Sequence, residues 1–140
     1  MIVSAQPHPT GHPGYSETLP ALEESAEVAR KLVRTALSAW NLEELSDAGA
    51  LLVSELVANA VKHTDSRHVR VVISRPRERF VRIAVVDKSR TMPEIKQSNG
   101  DLSTSGRGLI LIDALSDRWG TDLFRWGKRV WGELKSEPAK

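Results

Sequence analysis

The sequence predicts a two-layer α/β sandwich, with a mixed, mostly antiparallel sheet and helices on one face. Three observations predict it. Residues 45–62 form an apolar run with helical period, residues 69–74 and 80–86 read as two strands around a turn, and Ser105-Gly106-Arg107-Gly108-Leu109 opens a further apolar run. Helical and strand periods together, in 140 residues of which 40% are hydrophobic, fit one domain with a buried core.

The elements follow in order. Residues 1–14 carry Pro7, Pro9, Pro13, Gly11 and Gly14 with little apolar content and read as a disordered tail, leaving 15–140 as the domain. His8 and His12 lie in that tail, and two histidines without further ligands fall short of a metal site. Residues 15–19 read as a short edge strand. Pro20 and the acidic pair Glu23-Glu24 then start a helix carrying Leu22, Val28, Ala29, Leu32, Val33, Ala36 and Leu37. The run 45–62 is the second helix. Residues 69–74 and 80–86 are strands joined through Arg75-Pro76-Arg77-Glu78-Arg79. The polar, aperiodic stretch 94–105 is long for a plain connection and reads as a lid beside a ligand site, the alternative being a surface loop. Residues 109–115 form a helix behind it, and 117–124 and 128–135 close the sheet.

Within the second helix, 100° per residue gathers Leu52, Val53, Leu56, Val57, Ala60 and Val61 into one arc, with Glu55, Asn59 and His63 one turn apart along its border. A carboxylate there needs a partner, and a carboxamide beside it offers an oxygen to a hard cation. An amphipathic helix with polar edge residues accounts for the Glu/Asn pair equally well. Asp87 closes the strand 81–87, where it can accept a hydrogen bond from an exocyclic amine or simply form a turn. Gly106-Arg107-Gly108 before an apolar run presents backbone N–H groups to phosphate, or makes a tight turn. His63 reads as a hydrogen-bonding edge residue, and Lys62 can meet a phosphate oxygen or point to water.

In the order Glu-x-x-x-Asn, Asp, Gly-x-Gly-Leu, with the ending Gly127-Lys128-Arg129-Val130-Trp131-Gly132-Glu133-Leu134, the chain resembles the anti-sigma-factor serine kinases of the histidine-kinase-like ATPase (GHKL) superfamily, whose nucleotide site is the Bergerat fold. The resemblance runs from about residue 15 to 134. It implies that Asn59 holds the magnesium bridging the triphosphate, that Glu55 is the general base activating an attacking hydroxyl, and that Asp87 binds the adenine amino group. Gly106 and Gly108 would let the backbone wrap the phosphates, with Lys62, Ser105, Arg107 and Leu109 completing the implied ATP-binding set. Ser89 and Thr91 stand where glycines often follow the adenine-binding acid, and Pro93 matches the anti-sigma branch. Lys128 and Arg129 stand where the terminal strand often supplies a threonine near the adenine.

Net charge of +2 is too small to imply a nucleic-acid partner, and no recognition helix accompanies the arginines 67, 70, 75, 77, 79 and 82. Those arginines form a solvated face or an electropositive surface for an acidic protein. Trp40, Trp119, Trp126 and Trp131 read as packing residues. With no cysteine there are no disulfides, and no apolar run approaches the roughly 20 residues of a membrane span. The N-terminus lacks the order of a signal peptide, so a cytoplasmic protein is expected. The resemblance implies a homodimeric serine/threonine kinase using Mg-ATP, with a sigma factor and an anti-sigma-factor antagonist as partners. A nucleotide-gated protein-binding module with little or no kinase turnover is the second expectation.

Overall fold

The computed structural model describes residues 4–7, 13–88 and 104–137. Strands β1 (Ser4–Pro7) and β2 (Pro13–Pro20) precede helices α1 (Ser25–Ala39) and α2 (Ser46–His63). Strands β3 (His68–Arg77) and β4 (Phe80–Asp87), helix α3 (Thr104–Leu115), and strands β5 (Arg118–Phe124) and β6 (Gly127–Lys135) follow. The six strands form one sheet in the order β1-β2-β3-β4-β6-β5. All five pairings are antiparallel, so the sheet is not mixed as expected. The physical reason is the return of β6 between β4 and the edge strand β5, which makes each neighbour run opposite.

The sequence places the first strand at the sheet edge, but β1 covers β2, pairing from Ser4↔Ser16 to Pro7↔Pro13. The β strand at 4–7 therefore lies within the segment expected to be a tail. Helix α1 ends in a Schellman motif: the Leu42 N–H donates to the Leu37 carbonyl at 2.8 Å, and Asn41 takes the left-handed conformation, with φ of 58°. The β3–β4 ladder shifts register between Ser74 and Arg77, where Pro76 has no N–H to donate; β3 thus extends through an irregularity beyond the expected 69–74. Helix α3 begins at Thr104 rather than near residue 109, so the glycine pair belongs to its first turns.

Alternation divides the sheet. Val69, Val71, Ile73, Val81, Ile83, Val85, Val130 and Leu134 pack in one core with Leu32, Val33 and Leu37 of α1 and Leu52, Val53, Leu56 and Val57 of α2. The three helices cover this face, and the domain is the expected two-layer sandwich. Trp40 and Trp119 pack against the same core. Trp126 does not: it is 54% exposed and stacks on Phe124 at 5.0 Å.

On the other face, charged pairs alternate with pairs built around Trp131. Ala84↔Trp131 and Arg82↔Glu133 pair across β4 and β6, and Gly120↔Trp131 and Arg118↔Glu133 across β5 and β6. Glu133 accepts hydrogen bonds from Arg82 at 2.6 Å and from Arg118 at 2.6 Å, and it is 1% exposed. Both guanidinium groups lie over Trp131, at 4.5 and 5.5 Å from its ring centre. A Cβ on Gly120 would come within 2.9 Å of that ring, so glycine lets the indole lie against the strand. Two of the arginine-rich hairpin's members are also tied down: Arg75 to the Glu78 carbonyl and Arg70 to Ser16 Oγ.

Burial pushes the Glu133 carboxyl up, but the hydrogen bonds and charge of Arg118 and Arg82 outweigh it and hold the group below its ordinary value. A depressed folded-state pKa gives stability that is present above the unfolded value of about 4.3 and lost as pH falls through the folded value. Glu133→Gln is expected to cost about 1.5–3 kcal/mol near neutral pH, as for hydrogen bonds to a charged group. The loss relative to the parent should shrink in acid, where the parent carboxylate is itself protonated. Urea unfolding of both proteins at neutral and acid pH checks this, and an equal loss at both would contradict it.

Candidate functional site

Three elements bring the sequence-singled residues to one end of the sheet. Helix α2 connects through residues 64–67 to the start of β3, which pairs with the end of β4 through Arg70↔Val86. Its C-terminal end therefore lies beside the β4 end that carries Asp87. A Cβ on Gly49 would sit 3.6 Å from Ile83 Cδ1, so α2 and β4 are level at that point. Ten helical residues on, Asn59 is about 15 Å along; four strand residues on, Asp87 is about 13 Å along, close to the same level. Helix α3 ends where Ser116 meets Gly132 and packs on α2.

Asn59 is buried on the inner side of α2, 5% exposed, and its Oδ1 has no hydrogen-bond partner among the described residues. A buried amide oxygen without a partner costs free energy that a cation or a ligand donor would recover. Glu55, one turn earlier, is half-buried, so it borders the site and remains within reach of solvent. His63 is half-buried in the last turn of α2, and Lys62 beside it is exposed.

Asp87 ends β4 on the inner face and is 2% exposed. The facing residue across the ladder is Lys128, whose Nζ donates to Asp87 Oδ1 at 3.1 Å, with both side chains almost wholly buried. Arg129 points to the other face and pairs with Asp122 at 2.6 Å. Sequence reasoning placed Lys128 and Arg129 near the adenine position without separating them. The ladder register separates them, because a one-residue step reverses the face. The close approach of the strands at this point depends on Gly127, where a Cβ would collide with the Asp87 backbone oxygen.

Ser105, Gly106, Arg107, Gly108 and Leu109 fall in the first turns of α3. The opening N–H groups of a helix lack carbonyl partners within it, and the helix dipole adds positive potential there. This end of α3 can hold an anion. The expected lid over 94–105 lies almost wholly outside the described residues, as do Ser89, Thr91 and Pro93. A cavity of about 210 Å³ also borders Asp87; its lining includes Val69, Arg70, Val86 and Trp126 but not Asn59.

No group of three or more His, Cys, Asp or Glu among the described residues could hold a metal ion, so a cation here would draw its remaining ligands from a bound phosphate or water. No helix among the described residues is long and apolar enough to cross a membrane.

Comparison with known proteins bears on this arrangement. No curated protein matches the sequence. The histidine kinase-like ATPase domain matches residues 19–128, from the end of β2 through the three helices to Lys128. The match takes in Glu55, Asn59, Asp87 and the α3 glycines, and the chain belongs to the histidine kinase-like ATPase domain family, whose members bind ATP.

Proposed function

We propose that this ATP-binding regulatory domain is an anti-sigma factor that phosphorylates a serine or threonine of an antagonist protein, using Mg-ATP and acting as a homodimer in the cytoplasm. The observation that carries the reading is the pairing on α2 of a buried Asn59 oxygen, unpartnered among the described residues, with a half-buried Glu55 one turn earlier. A carboxamide oxygen at the inner border suits a hard cation, and magnesium characteristically takes few protein ligands and keeps phosphate oxygens and water. Bound there, magnesium would neutralise charge on the phosphates. Asn59 holds the cation, Asp87 meets the base, and the opening N–H groups of α3 take the phosphates, with Lys62 adding positive charge from the helix end. Glu55 accepts the proton of the partner's hydroxyl as its oxygen bonds to phosphorus and the bond to the departing diphosphate breaks.

Asn59→Ala is expected to remove most of the magnesium-dependent part of ATP affinity and to leave the fold intact, since it deletes a group that makes no hydrogen bond through Oδ1 among the described residues. Titration calorimetry with and without magnesium measures this. Equal magnesium-dependent affinity in the two proteins would remove Asn59 from the role.

The kinase assignment is tested with labelled ATP and candidate antagonist proteins. A second reading, a nucleotide-gated protein-binding module with little turnover, is favoured by the Lys128–Asp87 ion pair, because Lys128 competes with a base amine for the carboxylate. Capture or release of a sigma factor on adding ATP, with no label transferred to any antagonist, would select it. The homodimer is checked by light scattering: a mass twice that of the 140-residue chain is expected at micromolar concentration with ATP.

A further inference from the structure

Two cross-strand rows of the helix-free face carry arginines. Arg82 and Arg118 flank Glu133 in one row, and Thr18, Arg70, Val86, Arg129 and Asp122 follow one another across the sheet in the other. Three of these arginines bond to a carboxylate: Arg82 and Arg118 to Glu133, and Arg129 to Asp122. Arg70 is the exception. Its guanidinium donates to the Ser16 hydroxyl at 3.0 Å, and it makes no ion pair among the described residues.

That exception coincides with a cavity. Arg70 lines the space of about 210 Å³ at the end of the sheet, together with Thr18, Ser66, His68, Lys88 and Trp126. Lys88, which is exposed, is a second cation there without a carboxylate partner among the described residues. Asp87 also borders the space, but its carboxylate is bonded to Lys128. Trp126 supplies an apolar wall. Its indole is 54% exposed and lies parallel to Phe124, at an interplanar angle of 3°, while Arg129 lies over Phe124 in turn at 5.5 Å. An indole steadied by stacking and open to solvent is the kind of anchor on which protein interfaces concentrate their energy.

We infer that this cavity and the indole beside it form a docking site for an acidic segment of a partner protein, in which a carboxylate meets Arg70 and Lys88 and a neighbouring apolar side chain packs on Trp126. The site is independent of both the kinase and the nucleotide-gated readings. Charge complementarity carries it, since two cations with no carboxylate beside them attract one and steer its approach. Size favours a side chain over a free ligand: pockets that enclose a small molecule run to about 300–1,000 Å³, and this one is smaller. A nucleic acid is disfavoured by the net charge of +2 and by a single exposed indole where a strand of bases would need a series of rings.

The test is titration of the isotopically labelled full chain with a short peptide of alternating glutamate and phenylalanine at low salt, followed by backbone amide and indole N–H resonances. Those of Ser66, His68, Arg70, Lys88 and the Trp126 indole are expected to move together, and affinity should fall as salt is raised. The same peptide with glutamine for glutamate should bind about fivefold or more weakly. The double variant Arg70→Gln with Lys88→Gln should lose about as much for the glutamate peptide, as for two exposed ion pairs. Both positions are exposed, so the fold should persist. Arg77→Gln, at the far end of β3, also removes an exposed charge and should change affinity by less than about twofold. Cavity resonances that the glutamate peptide leaves in place, or equal binding of the two peptides, would overturn the docking site. A loss in Arg77→Gln as large as in the double variant would do the same, by reducing the effect to net charge. If oligothymidylate or a phosphoserine peptide moves these resonances at less than about a tenth of the concentration that the glutamate peptide needs, the occupant is a nucleic acid or a phosphoprotein and the assignment fails. It fails equally if raising the protein concentration alone moves them, because the occupant is then a second copy of the chain.

Discussion

Glu55→Gln is expected to lower phosphoryl transfer to an antagonist protein by about 10²- to 10⁴-fold, the usual effect of removing a general base. The amide keeps the shape of the side chain and discards its basicity, so ATP binding and partner binding should persist. Glu55 suits this role by its placement. It shares a helix edge with Asn59 at a spacing of one turn, yet it stays half-buried where Asn59 is almost fully enclosed. A base must be protected enough to be oriented and open enough to meet a hydroxyl arriving on another protein. Single-turnover transfer of labelled phosphate, with binding measured separately, resolves the two effects. A decrease of only a few-fold would mean that Glu55 orients the hydroxyl, since phosphoryl transfer draws mainly on positioning and electrostatics.

Asp87→Ala should cost about 3–5 kcal/mol of folding stability, the range for breaking a buried ion pair by removing one member. The cost arises because the ammonium of Lys128, 1% exposed, loses the carboxylate that compensates it. For a domain of this size the corresponding fall in melting temperature is roughly 10–20 °C. Replacing both members by apolar residues, Asp87→Leu with Lys128→Met, should recover most of the loss, because neither charge of the pair is then left buried. Denaturant unfolding of the single and double variants measures the coupling. A single variant within about 1 kcal/mol of the parent would show that water reaches Lys128.

The same two variants bear on function differently. Glu55 lies half-buried on the border of the helical layer, so its loss should be read in turnover. Asp87 joins the end of β4 to the start of β6, so its loss should be read in both stability and base recognition. The acid-side behaviour of Glu133 is separate from either, because its arginine clamp lies on the helix-free face of the sheet.

Much of this arrangement was legible before the fold was known. The helical periods of α1 and α2 and the alternation along β3 and β4 are properties of neighbouring residues, and the apolar positions they pick out lie in the core or against it, except Leu22, which precedes α1 and is 53% exposed. Asn59 could be singled out because a carboxamide inside an apolar helical run has a recognisable cost wherever the helix packs. The edge position of β2 was misjudged, since whether a strand has a neighbour depends on another segment reaching it. The start of α3 was placed late, because glycine in a helix opposes local propensity and is tolerated there only in context.

By itself the sequence determined the two-layer class, the helices and strands, and the border residues Glu55 and Asn59, all of which follow from periodicities of 3.6 and 2 along the chain. Only the tertiary structure decided that all strand pairings are antiparallel, that Trp131 lies under two arginines on the helix-free face, and that Lys128 rather than Arg129 faces Asp87. These depend on the pairing register of strands separated by some forty residues, and a shift of one residue would exchange the two faces without altering any local pattern.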